Sequence, residues 1–161
     1  MSKTLRIAMI GYGFMGKVHS HAWRSVNHFF PDAPQVEMSV ICGRSKDALE
    51  AARVTFGWNE AETDWKKVIA RSDIDVIDIC TAGDTHEEIA IAALKAGKHV
   101  ICEKPLATSM ADADAIKDAA EAAGKQVFPV FQYRCGPSLA KLRHMMAADL
   151  TGQVQTATVE T

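Results

Sequence analysis

Three short stretches of this 161-residue chain combine residue types and spacings that can do chemistry. The first is Gly11-Tyr12-Gly13-Phe14-Met15-Gly16, a Gly-x-Gly-x-x-Gly pattern that on its own is a common turn. Its setting sharpens the reading: an apolar run ending at Ile10 leads in, and Val18, Ala22 and Val26 lead out at helical spacing. In a strand–turn–helix of this kind Gly11 permits the tight turn, Gly13 lets the backbone approach a pyrophosphate, and Gly16 lets the helix pack on the strand. The free amides and positive dipole end of the helix then receive the phosphate charge, with Tyr12, Phe14 and Met15 carried in the same turn as candidate contacts. The second stretch, Gly43-Arg44-Ser45-Lys46, follows the next apolar run. An NAD-selective site places a carboxylate there for the ribose hydroxyls. Glu37 instead stands at the far end of that run and Asp47 inside the helix beyond it. The planar fork of Arg44, the hydroxyl and amide of Ser45 and the charge of Lys46 suit a 2′-phosphate, which favours NADP with NAD as the alternative. An Arg44 that is solvated, or stacked on the adenine, leaves the selectivity open. The third stretch is Glu103-Lys104-Pro105, at the end of a further apolar run. A lysine after a strand is ordinarily a solvated surface residue; at the carboxyl edge of a parallel sheet it stands where ligands bind.

The elements that must position these residues are legible from periodicity. Nearly continuous apolar runs over 5–10, 36–42, 75–80, 99–102 and 127–131 have the length and composition of strands covered on both faces. Between them lie helical patterns: one N-capped by Ser45 and running to about 56, a weaker one over 64–70, one opened by a Thr85/Glu88 capping box and closed by Gly97, and an Ala-rich one opened by Ser109 and Asp112 and closed by Gly124. A last helix is expected over 137–148. Strand–helix alternation predicts an α/β fold of the Rossmann type, a doubly wound parallel sheet with right-handed crossovers. Residues 153–161 alternate β-branched and polar side chains like the first strand of a second, α+β domain, so the expected organisation is a dinucleotide-binding domain over 1–150 and the start of a truncated C-terminal domain over 151–161.

Composition narrows the function classes. With 18 basic and 20 acidic residues the formal charge is −2, which gives no electrostatic case for nucleic acid or an anionic membrane. No apolar run approaches the ~18 residues a membrane span needs, and no apolar signal-peptide segment precedes the first strand, so a soluble, cytoplasmic protein is expected. The four cysteines are widely spaced, without a Cys-x-x-Cys pair, and three end apolar runs as small buried residues would. His19 and His21 are two apart on a helix and point in different directions, so no metal site is expected from them.

Taken together, Ile10–Gly16 with His19 three positions on, Ala96–Leu106 with its Glu-Lys-Pro, and Phe131-Gln132-Tyr133-Arg134 followed by Pro137 resemble the glucose–fructose oxidoreductase / inositol dehydrogenase / rhizopine catabolism (Gfo/Idh/MocA) oxidoreductases, in order and over essentially the whole chain. The resemblance implies a two-domain NAD(P)-dependent dehydrogenase or reductase acting on a sugar or polyol. By that resemblance Lys104 hydrogen-bonds the reacting oxygen and serves as, or assists, the general acid/base. It also implies that Glu103 contacts the cofactor or orients Lys104, that Gln132 and Arg134 help bind cofactor or substrate, and that the full-length form is a homo-oligomer. The chain departs from the family where the third strand usually ends Thr-Pro-Asn: it reads Thr81-Ala82-Gly83-Asp84-Thr85-His86. Thr81 and His86 fit the pattern, Ala82 and Gly83 replace the Pro-Asn pair, a more mobile loop is expected, and Asp84 either compensates or is solvated. His86 reads as a capping-turn residue near the cofactor rather than a catalytic one. The remainder of the family's length is the substrate-covering domain, so this chain alone is expected to bind cofactor with little turnover. The competing readings are a non-catalytic NAD(P)-binding sensor or scaffold, for which an acid/base lysine has no use, and a methyltransferase, which wants an acid where Gly43-Arg44 stands.

Overall fold

The computed structural model describes residues 4–153 together with 155, 156 and 158. The chain divides into two compact units, Met1–Val130 and Phe131–Thr161. The first contains β1 (Leu5–Ile10), α1 (Phe14–Phe29), β2 (Val36–Cys42), α2 (Lys46–Phe56), β3 (Glu60–Glu62), α3 (Trp65–Ala70), β4 (Val76–Ile79), α4 (His86–Lys95), β5 (His99–Cys102), α5 (Met110–Ala123) and β6 (Val127–Pro129). All strand pairs are parallel and the sheet order is β3-β2-β1-β4-β5-β6. The expected doubly wound Rossmann sheet is therefore present, and its order reverses between β1 and β4, the switch point at which such sheets open a crevice.

Alternation along β1 divides the core. Ile7 and Met9 face one side with Ile41, Leu49, Ala52 and Trp58, beneath α2. Ala8 and Ile10 face the other with Val40, Ile77 and Ile79, beneath α3, α4 and Ile116 of α5. Each buried branched side chain contributes about 1.5–3 kcal/mol. Cys42 and Cys102 are buried as expected, and burial pushes both thiols up to about 12.

Three local expectations change. Strand β3 was not anticipated: Glu60-Ala61-Glu62 has no apolar pattern, and pairing with Val40–Cys42 rather than burial makes it a strand. The Thr85/Glu88 capping box does not form; the Thr85 hydroxyl, 2.7 Å from both the Ala82 carbonyl and the Thr81 hydroxyl, turns back into the preceding loop. Ser45 likewise makes no side-chain cap, whereas Ser109 accepts from the Asp112 amide at 3.1 Å and Asp64 caps α3 through the Lys66 amide at 2.9 Å. The second unit contains a 3₁₀ turn over Gln132–Cys135 and α6 (Pro137–Ala147). The strand expected over 153–161 lies for the most part outside the described residues. No helix among the described residues is long and apolar enough to cross a membrane.

Candidate functional site

The glycine turn has the geometry its sequence demands. Gly11 sits at φ +102°, where a Cβ would lie 2.7 Å from the Cys80 carbonyl carbon and oxygen and 3.0 Å from the Thr81 amide. The turn thus lies against the end of β4, directly over the switch point. A Cβ on Gly16 would run into the Gly11 carbonyl, so the third glycine closes the helix onto the turn. Gly13 is different: it is the N-cap of α1, at φ −66°, and nothing lies within 4 Å of where its Cβ would be. The first turn of α1 has no side-chain cap and no acidic residue, whereas α2, α4 and α5 each carry an acid in theirs. Open space beside Gly13 and an uncapped, uncompensated helix start are what a diphosphate fits.

The other expected contacts distribute unevenly. Tyr12 lays its ring on Gly43, where any Cβ would strike it, so Gly43 is fixed by the aromatic above it. Phe14 is exposed on the first turn of α1, Met15 half-buried. Arg44, Ser45 and Lys46 are exposed at the end of β2. Sequence reading missed an acid there: Glu62, at the end of β3, pairs in register with Cys42, and its carbonyl accepts from the Gly43 amide at 3.3 Å. Its carboxylate is turned to its own loop, accepting from the Asp64 and Thr63 amides at 3.0 and 2.7 Å, which hold it below the usual carboxylate range.

After β4 the Thr81–His86 loop is better tied than its composition suggested. Gly83 lies against Pro105, a Cβ there being 3.4 Å from Pro105 Cγ. Thr85 bonds back to Thr81 and Ala82 as described above. His86, buried at the start of α4, spans the Pro105 carbonyl (2.8 Å, Nδ1) and the Thr81 carbonyl (3.1 Å, Nε2). It joins this loop to the Glu-Lys-Pro turn, and both ring nitrogens are used in doing so. Ala82 and Asp84 are exposed on the same loop. Gln132 and Arg134 belong to the 3₁₀ turn of the second unit.

Lys104 is exposed at the end of β5, and Glu103 before it is buried, 3% exposed. Glu103 carries the group of residues that periodicity did not single out. Its Oε2 accepts from the Lys104 amide at 3.0 Å, and its Oε1 lies 3.1 Å from His19 Nε2. His19 Nδ1 faces Asp78 at 3.0 Å from both carboxylate oxygens. Asp78 also accepts from Trp23 Nε1 at 2.7 Å and from the Cys80 thiol at 3.6 Å. Burial alone would lower the His19 pKa; the hydrogen bonds and charges of Asp78 and Glu103 outweigh it and raise it. Burial, with Asp78 and Glu103 nearby, drives the Cys80 thiol far up, so it is a neutral donor here. His19, Asp78 and Cys80 are close enough to be read as a metal triad, but the short His19–Asp78 hydrogen bonds occupy that space. One signal in the sequence pointed this way: an acid in the middle of Val76-Ile-Asp-Ile79, a strand covered on both faces, requires a buried partner.

Comparison with known proteins places this geometry. Residues 5–131 match the family described as "Oxidoreductase family, NAD-binding Rossmann fold", Gfo/Idh/MocA. Levoglucosan dehydrogenase of Pseudarthrobacter phenanthrenivorans is 38% identical over 154 residues, 94% of this chain and 39% of that protein. Inositol 2-dehydrogenase of Paracoccus denitrificans is 34% identical over 152 residues, 92% of this chain and 43% of that protein. The solved structure "Levoglucosan dehydrogenase, complex with NADH" superposes with a TM-score of 0.91 at 36% identity, over 94% of this chain and 41% of that one. The chain therefore spans about two-fifths of the length of these relatives. With the glycine turn at the switch point and Glu103-Lys104-Pro105 at the same sheet edge, the chain belongs to the Gfo/Idh/MocA oxidoreductase family and contains its NAD-binding Rossmann domain.

Proposed function

We propose that a nicotinamide dinucleotide lays its diphosphate across the α1 amino terminus at Gly11–Gly16 and brings its nicotinamide toward Lys104. The whole protein is then a dehydrogenase or reductase that interconverts a hydroxyl and a carbonyl on a sugar or polyol. The observation that carries this is the open, uncapped Gly13 turn at the β1/β4 switch point, with Lys104 presented one strand further along the same edge. When bound, the dinucleotide supplies the acceptor or donor of the two electrons. The chain's own part is binding and proton handling. The α1 amides and dipole hold the diphosphate; Gly43, Tyr12, Arg44, Ser45 and Lys46 flank the adenosine end; Thr81, Ala82, Asp84 and Glu103 border the nicotinamide end, with His86 bracing that border; Lys104 Nζ exchanges the proton of the reacting oxygen. Gln132 and Arg134 belong to the same proposal as cofactor or substrate contacts.

The dinucleotide domain of this proposal runs to about residue 150, and in the whole protein a substrate domain supplies the walls that exclude water from the nicotinamide. In the full-length form a homo-oligomer in the cytoplasm is expected. Arg44, Ser45 and Lys46 favour NADP(H). The NADH complex of levoglucosan dehydrogenase weighs toward NAD(H). Titration of the purified chain with NADH and NADPH separately tests both levels of the proposal. Binding of neither dinucleotide refutes the function, and equal affinities refute the role given to Arg44.

A further inference from the structure

We infer that His19 is a positioning residue for Lys104: as an imidazolium bridging two buried carboxylates it locks the Glu103-Lys104-Pro105 turn onto the helix that begins at the glycine turn. The inference rests on the proposed function above for its meaning, and on hydrogen-bond counting for its substance. A neutral imidazole has one N–H and one lone pair, while an ionised carboxylate only accepts. Both ring nitrogens of His19 face carboxylates, Asp78 at 3.0 Å through Nδ1 and Glu103 at 3.1 Å through Nε2. In a neutral tautomer one of these contacts sets a lone pair against a carboxylate oxygen in a buried site. Protonation of the ring turns both into charge-assisted donors and places one positive charge between two negative ones.

The surroundings agree. Asp78 is fully buried and Glu103 and His19 nearly so, and no buried side-chain polar atom among the described residues lacks a partner. The groups facing the ring are Asp78 and Cys80 from β4 and its end and Glu103 from the end of β5; on α1 itself the Trp23 indole donates to Asp78 Oδ2. Among the contacts described, His19 is the only group that can carry a positive charge within hydrogen-bonding range of these two acids. Glu103 divides its carboxylate, one oxygen on His19 and the other on the Lys104 amide. The direction of the Lys104 backbone is therefore set through Glu103 by a side chain on α1, one turn after Gly16. Sequence reading placed His19 in the motif that resembles the family and weighed it as half of a histidine pair for a metal, but gave it no role toward Lys104.

Ring 15N spectroscopy of the histidine-labelled chain, followed with pH, tests the charge state. At pH 7 both His19 nitrogens should carry protons, and the ring should titrate above the ordinary value of 6.5. A single neutral tautomer at pH 7 overturns the inference. The positioning role is read on the Lys104 amide and side chain by 15N and 13C shifts of the same chain. In the wild type these signals should move together with the His19 titration, a coupling that needs no variant to fold. His19→Gln should abolish the coupled movement. Lys104 signals indifferent to the His19 titration, or an unchanged movement in His19→Gln, overturn it. NADH binding by the wild-type chain is measured alongside. NADPH binding is measured with it, and binding of neither dinucleotide would refute the dinucleotide reading while leaving the His19 result to stand or fall by itself.

Discussion

Replacing Gly13 with alanine separates the fold from the dinucleotide more cleanly than any other change in the glycine turn. In the protein alone the new methyl meets nothing within 4 Å, and φ −66° suits any residue. Alanine gains about 0.4–1 kcal/mol by restricting the unfolded chain and loses a comparable ~0.5–1 kcal/mol because it is a poorer N-cap than glycine. The net change in stability is close to zero. With a dinucleotide the balance differs, because the methyl stands where the diphosphate must approach the α1 amides. Hydrogen bonds to a charged group contribute about 1.5–3 kcal/mol each, so losing one or two costs about 2–4 kcal/mol. At ~1.4 kcal/mol per factor of ten this is a weakening of about thirty-fold to several-hundred-fold. Gly16→Ala supplies the contrast, since its methyl collides with the Gly11 carbonyl and should cost about 1–3 kcal/mol of stability before any ligand is added. The assay is NADH titration by fluorescence beside urea denaturation of both variants. Wild-type affinity in Gly13→Ala at unchanged stability would show that the diphosphate does not cross this residue and would refute the placement.

Lys104→Ala in the whole protein should lower turnover by about 10²–10⁴-fold; steady-state kinetics with a sugar or polyol substrate check it, and undiminished turnover removes the acid/base role. Arg44→Asp should shift the NADPH:NADH affinity ratio toward NADH by at least about tenfold, the loss of one charge-assisted bond of ~1.5–3 kcal/mol with repulsion added; paired titrations read the ratio directly. The raised pKa of His19 gives a pH dependence of fixed sign. Its stabilising contribution is complete below the unfolded value of 6.5 and is lost as pH rises through the higher folded value. The urea midpoint should therefore decline on the alkaline side, with a flatter profile in His19→Gln; a rise over that window would contradict the imidazolium.

Much of the site was legible because its chemistry is carried by backbone. Gly11 and Gly16 are required by close approaches that no other residue permits, while Gly13 keeps open the space beside the α1 start, so the fingerprint survives without knowledge of tertiary contacts. The parallel, doubly wound character of the sheet followed from strand–helix alternation and the handedness of crossovers. What sequence could not show depended on partners far apart in the chain. Strand β3 has no apolar period of its own and exists by pairing with β2, which hid the acid that Glu62 brings to the end of β2. Thr85 forgoes its cap because the loop hydroxyl of Thr81 and the carbonyl of Ala82 are closer partners. His86 looked like a cap residue and proves to be a cross-brace between loops that are 19 residues apart. The His19–Asp78–Glu103 group joins positions separated by 59 and 84 residues, and only the unexplained acid inside β4 announced it.

That group also poses an energetic question, because two buried carboxylates held by one imidazolium are not an economical way to stabilise a core. Each buried ion costs several kcal/mol after relaxation, and apolar replacements of similar volume are often neutral or stabilising by about 1–4 kcal/mol. Removing one member is a different matter: it leaves the others charged and unpaired, at a cost of about 3–5 kcal/mol. The expectation is a strongly non-additive series. His19→Met alone should be severely destabilising, since Asp78 and Glu103 then face each other across an apolar side chain. His19→Met with Asp78→Leu and Glu103→Met should recover most of that loss, short of the ~1–3 kcal/mol left by a Trp23 indole without its acceptor. Urea denaturation of the single and triple variants measures the difference. If the triple variant is as unstable as the sum of its parts, the network is ordinary structural packing. If stability returns while the Lys104 signals no longer hold their wild-type positions, the buried charges are retained for where they put the lysine.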